Sequence, residues 1–122
     1  MLQIRLGDIA YARSGDKGSS ANVGVIARSA AAYEFLRDAL PAAAVEALFK
    51  PLGVGTVVRY ELPNLGAFNF TLPNVLDGGG SLNLRIDAQG KALGQALLEF
   101  RLEVPTDVAK SLTANASPTG HA

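Results

Sequence analysis

The stretch from Arg59 to Leu72, RYELPNLGAFNFTL, confines this chain more tightly than any other segment. In its second half Phe68, Phe70 and Leu72 alternate with Asn69 and Thr71, the period of two that sends neighbouring side chains to opposite faces of a strand. Its first half belongs to GTVVRYEL (Gly55 to Leu62), a run rich in β-branched and aromatic residues that also reads as a strand. Pro63-Asn64-Leu65-Gly66 lies between them, and proline with glycine at that spacing is a turn signal. Two strands joined so closely form an antiparallel hairpin. Its apolar face needs a second layer to cover it.

The flanking segments supply that layer. Leu2 to Arg13 alternates Leu2, Ile4 and Leu6 against Gln3 and Arg5, breaks at Gly7-Asp8, and resumes with Ile9 and Tyr11. This predicts a strand with a bulge or bend at Gly7. NVGVIAR (Asn22 to Arg28) reads as a buried strand. Ser29 offers an N-cap for AAAYEFLRDAL, in which Tyr33, Leu36 and Leu40 keep helical spacing. Pro41 cannot continue that helix but can begin another, with Val45, Leu48 and Phe49 on one face and Pro51 and Gly53 at its end. After the hairpin, PNVLDGGG reads as a loop and SLNLRI as a short strand, through Leu82, Leu84 and Ile86. Two readings compete for DAQGKALGQALLEF. Asp87 caps a helix over 88–98 that turns Ala92, Leu93, Ala96 and Leu97 inward, or DAQGK is a hairpin turn. Gly90 and Gly94 would each cost a helix about 1 kcal/mol, yet the helix, followed by a strand over 99–104, is the reading adopted. From Pro105 onward the composition shifts to Ala, Ser, Thr and Asn, and residues 106–122 are expected to form a disordered tail.

That order of elements implies an α+β fold, a two-layer sandwich of one antiparallel or mixed sheet with helices on one face. A ferredoxin-like βαββαβ core with an extra N-terminal strand accommodates it most simply. The 122 residues suit one domain, placed at 1–105, and a 48% apolar content is enough for its core.

Composition removes several chemistries. Eleven basic side chains balance eleven acidic ones with no basic stripe, so neither nucleic acid nor an anionic membrane surface is an expected partner. There is no cysteine, hence no thiolate nucleophile and no zinc–sulfur site. The single histidine, His121, lies in the tail, away from any triad or near-neutral base. No secretory signal or apolar span of about 20 residues is present, which points to the cytoplasm and leaves the NFT and NAS triplets at Asn69 and Asn115 without meaning as glycosylation sites. No metal site is expected from Asp8, Asp16, Asp77 and Asp87, whose spacing follows no ligand pattern. No cofactor is expected.

Three polar segments remain as candidates. RSGDKGSSAN (Arg13 to Asn22), expected as a loop between strands, carries Arg13, Ser14, Asp16, Lys17 and Asn22. Glycines allow main-chain N–H groups to converge on an anion, Lys17 adds a point charge, and Arg13 can grip a carboxylate or phosphate with two donors. It is not a Walker loop, because Lys17 precedes its glycine and a strand follows. Asp16 and Lys17 are the candidate acid–base pair, provided burial shifts them. The second segment contributes the amides Asn64 and Asn69, able to orient a carbonyl or oxyanion. The third contributes Gly78, Gly79 and Gly80, where a backbone can approach a ligand closely. Each segment also has a plain reading as turn residues holding a sheet together.

LGDIAYARSGDKGSSANVGVIAR, RYELPNLGAFNF and GGGSLNLRIDAQGKALGQALLE, taken together and in this order, resemble the small C-terminal domain of the AtuA-like (acyclic terpene utilisation) proteins, from about Leu6 to Val104. The resemblance implies a ferredoxin-like fold. It also implies a neighbourhood in the bacterial breakdown of acyclic terpenes and related acyl-CoA compounds. In longer relatives a large domain precedes this one, so the chain looks like a free-standing version of the small domain. Three functions are then open: an accessory binding subunit that docks on a larger AtuA-type subunit; a small lyase, hydratase or isomerase acting on a carboxylate or acyl-CoA; and a structural homo-oligomer. Self-association is expected, and an anionic small molecule or acyl-CoA is the expected ligand class.

Overall fold

The computed structural model describes residues 2–17, 20–74 and 91–116, with the backbone alone at 16–17, 91–92 and 113–116. Strand β1 (Leu2–Arg5) leads into β2 (Ala10–Lys17) and β3 (Ser20–Ala27), followed by helices α1 (Ala30–Ala39) and α2 (Ala42–Phe49). Strands β4 (Val58–Leu62) and β5 (Ala67–Leu72) come next, then helix α3 (Lys91–Leu98), strand β6 (Arg101–Val104) and helix α4 (Thr106–Ala116). The expected strand over 81–86 and the DGGG segment lie outside the described residues. From β3 to β6 the described elements follow the ferredoxin-like order of an α+β domain.

The described strands form two sheets where the sequence suggests one. β2, β3, β5 and β4 make a four-stranded antiparallel sheet in that order, and β1 pairs with β6 in a separate two-stranded ribbon. The cause is the interruption at Gly7. Leu6–Asp8 is a single 3-10 turn rather than a bulge, held by Asp8 Oδ2, which accepts from the Arg5 amide at 2.9 Å. Leu6 N donates to Phe100 O at 2.8 Å, so the ribbon stays attached while the chain turns toward the main sheet. β2 therefore occupies the sheet edge beside β3.

Alternation decides the two faces of the main sheet. Val23 and Val25 of β3 pair with Phe70 and Phe68 of β5, and all four are fully buried beneath the helices. Tyr33 of α1 stacks on Phe68, with ring centroids 4.7 Å apart. Ser29 caps α1 as expected, its hydroxyl accepting from Ala32 N at 3.0 Å. In α2, Val45 and Phe49 are buried, whereas Leu48, expected beside them, is exposed. Gly66 closes the β4–β5 hairpin in the left-handed region at φ 61°, a conformation that favours glycine there.

Two further expectations need correction. α3 turns Leu93, Gly94 and Leu97 inward, and Ala96 faces solvent. A side chain at 94 has no room: a Cβ there would sit 2.5 Å from Ser14 Oγ on β2. The glycine that argues against a helix by propensity is the residue that lets this helix approach the sheet. Secondly, residues 106–116 are helical rather than disordered. α4 packs on α1 and β1 and buries Ala109 and Leu112 in the common core, so burial outweighs its polar composition. Among the described residues no helix is long and apolar enough to cross a membrane.

Candidate functional site

RSGDKGSSAN is mostly strand. β2 runs through Lys17 and β3 starts at Ser20, with Arg13 opposite Gly24, Ser14 opposite Val23, Gly15 opposite Asn22, Asp16 opposite Ala21 and Lys17 opposite Ser20. Polar residues suit this position because no described element covers one face of the sheet, called the uncovered face below, and β2 is an edge strand among the described ones. Alternation sends Ser14 toward the helices, against Gly94, so it does not join the other candidates.

The uncovered face is a grid set by strand register. One row across it is Tyr11, Ile26, Ala67 and Leu62; the next is Arg13, Gly24, Asn69 and Tyr60; the third is Gly15, Asn22, Thr71 and Val58. Two of the three candidate segments therefore meet, through Arg13, Asn22 and Asn69. Asn64 does not join them: it is exposed in the 3-10 turn Pro63–Leu65 at the hairpin end. Gly78, Gly79 and Gly80 lie outside the described residues, as do the side chains of Asp16 and Lys17.

These rows enclose a shallow groove of about 570 Å³. Gly24 forms part of its floor, where an added Cβ would meet only the main-chain oxygens of Arg13 and Phe68, at 3.8 and 4.0 Å. Asn22 leans over Gly15, with its Oδ1 3.1 Å from where a Cβ would stand. Ile26, Tyr60, Leu62 and Leu65 supply an apolar wall that sequence reasoning missed. Tyr60 is 52% exposed and Leu65 70%. Beyond the groove on the same face, Tyr11 lies under the Arg28 guanidinium, 4.0 Å from its carbon to the ring centroid.

β4 supplies Tyr60 and Leu62 of this wall, and alternation alone does not reveal it. Its polarity is reversed: Arg59 and Glu61 share the helix-covered face with Phe70 and Phe68, and Val58, Tyr60 and Leu62 look outward. Arg59 is satisfied on the inner side. It donates to Arg37 O and Leu40 O at the end of α1, both at 2.9 Å, and to Glu61 Oε2 at 2.7 Å. The guanidinium thus covers the carbonyl end of α1, where a cation is favoured. RYEL alternates as any half-buried strand does, and only its register against β5 shows that the apolar set faces outward.

Arg13, Asn22 and Asn69 make no side-chain hydrogen bond or ion pair among the described residues. A guanidinium fork beside two carboxamides suits a carboxylate or another planar anion. Arg13, and Arg28 over Tyr11 beyond the groove, are the charged side chains described on this face, both donors only, so the described residues place no acid–base pair there. No metal-binding cluster of His, Cys, Asp or Glu occurs among them either. Asp8, one of the aspartates weighed as a ligand, is engaged with Arg5.

No curated protein and no solved structure shows significant similarity to this chain. Residues 4–103, from within β1 to within β6, match the AtuA ferredoxin-like domain, and the chain belongs to that family.

Proposed function

We propose that this chain is an accessory binding module, acting with a larger AtuA-type partner in the breakdown of acyclic terpenes or related acyl-CoA compounds, and that the uncovered face of the four-stranded sheet is its binding surface. The reversed polarity of β4 carries the reading. An outward row of Val58, Tyr60 and Leu62 has no role in the protein's own core, and contiguous exposed apolar surface marks interaction sites. Tyrosine and arginine, enriched at the centres of protein interfaces, are both present on it. The expected self-association would need a different surface or a head-to-tail contact, since this face offers Arg13 and no described carboxylate to answer it.

The test is Gly24→Leu. An added Cβ at this position meets nothing closer than 3.8 Å, and the isobutyl group beyond it would occupy the groove floor; a melting curve establishes that the variant folds. Co-expressed with the products of its neighbouring genes, the wild-type chain is expected to co-elute with one of them, and Gly24→Leu to elute alone with an unchanged melting temperature. A wild-type chain that elutes without every such product would sink the proposal.

A further inference from the structure

We infer that the uncovered face docks an acidic–apolar segment of a different protein: one carboxylate seated on Arg13, flanked by aliphatic or aromatic side chains laid over Ile26, Tyr60, Leu62 and Leu65. The inference rests on the binding-module reading and specifies its partner's chemistry. Charge complementarity carries it. Across the described positions of the three rows there is one charge, the exposed Arg13 guanidinium, and it has no partner among the described residues. Asn22 and Asn69 line the same groove with amides unengaged among the described residues, so a segment whose carboxylate takes the guanidinium fork has further donors within the groove.

Polarity is graded across the strands. The β4 side carries Val58, Tyr60 and Leu62, the middle strands carry Gly24 and Asn69, and the β2 edge carries Arg13, with Arg28 over Tyr11 beyond it. A segment crossing from β4 to β2 therefore passes from an apolar wall to a cationic edge. A second copy is a poor occupant by the same accounting. An isologous contact sets this patch against itself, enclosing two Arg13 guanidinia with no described carboxylate between them, and an unpaired enclosed charge is unfavourable. A fully apolar partner would likewise strip water from Arg13 without replacing its hydrogen bonds.

The experiment is a selection of random peptides displayed on phage against the immobilised full-length chain, run in parallel on Arg13→Glu and Gly24→Leu after melting curves show both variants folded. Peptides kept by the wild type are expected to pair Asp or Glu with neighbouring aliphatic or aromatic residues. Arg13→Glu should weaken those peptides about thirtyfold, the scale of a lost interfacial arginine, and select Lys or Arg in place of the acid. Gly24→Leu should weaken them about tenfold or more, as expected for a filled groove. Selected peptides that lack an acid, or whose charge preference survives Arg13→Glu, overturn the inference. Peptides indifferent to Gly24→Leu also overturn it but leave a binding module that uses another surface. A wild-type dimer abolished by Gly24→Leu overturns it in favour of a second copy. If no peptide is selected, the acidic–apolar class falls, and the co-elution experiment decides separately whether the chain is a binding module.

Discussion

Gly94→Ala tests the closest contact between the two layers. In an exposed helix, replacing glycine by alanine stabilises by about 1 kcal/mol. Here the new Cβ would stand 2.5 Å from Ser14 Oγ, roughly an ångström inside contact, and 3.5 Å from Ala12 Cβ. Ser14 must rotate or α3 must lift from β2, and overpacking of this kind costs about 1–3 kcal/mol. The net expectation is a loss of about 0–2 kcal/mol, a range that does not by itself establish the contact. The informative quantity is the change on removing the hydroxyl. With Ser14→Ala in place, the remaining neighbours lie at 3.5 Å and 3.8 Å, ordinary contacts, and Gly94→Ala should recover its gain of about 1 kcal/mol. The double-mutant cycle should then show an unfavourable coupling of about 1–3 kcal/mol between the methyl group introduced at position 94 and the Ser14 hydroxyl. Urea denaturation followed by far-ultraviolet circular dichroism measures all four stabilities. An equal effect of Gly94→Ala in both backgrounds would mean that α3 does not meet β2 at this glycine.

Arg59→Met should destabilise by about 2 kcal/mol, because it leaves the carbonyls of Arg37 and Leu40 without their shared charged donor; chemical denaturation reads the loss, and a neutral variant would show that the cation on the inner face is dispensable. Ser29→Ala should cost about 1 kcal/mol and Ser29→Gly only a few tenths, a difference in urea midpoints that separates loss of the cap to Ala32 from any general effect of changing this site. Leu112→Ala should cost about 2–4 kcal/mol by the same measurement, since the side chain is 2% exposed, whereas a residue in a disordered tail would cost nothing.

Legibility in the sequence follows the strength of each local signal. The β4–β5 hairpin is plain because proline and glycine bracket a turn between two alternating runs. The cap at Ser29 and the start of a second helix after Pro41 are plain for similar reasons. The split of the N-terminal segment between two sheets is not, because the tertiary contact from Leu6 to Phe100 decides it and alternation cannot reveal a distant partner. α4 is hidden for a related reason. Its apolar residues Val108, Ala109 and Leu112 do keep helical spacing, but the polar composition around them masks the period. For the site, Arg13, Asn22 and Asn69 are legible as residue types, and their meeting depends on register. A shift of one residue between β2 and β3 would send Arg13 to the helices and Ser14 to the groove.

Register also explains why the apolar wall escapes a reading of the sequence. In a two-layer domain the outer face of the sheet is ordinarily the polar one, so Tyr60 and Leu62 read naturally as core and Arg59 and Glu61 as surface. The structure inverts the assignment and offsets its cost by other means. Arg59 faces inward only because α1 ends above it with two carbonyls to accept its protons and Glu61 stands beside it as a counter-charge. An apolar residue of similar size would leave both carbonyls without this donor, so the helix end holds Arg59 on the inner side. Its outward counterpart is the apolar row Val58, Tyr60 and Leu62. A strand that places its charges inward and its apolar side chains in water gives the proposed docking face its apolar wall, and Arg13, unengaged among the described residues, is the group that would meet a negative partner there.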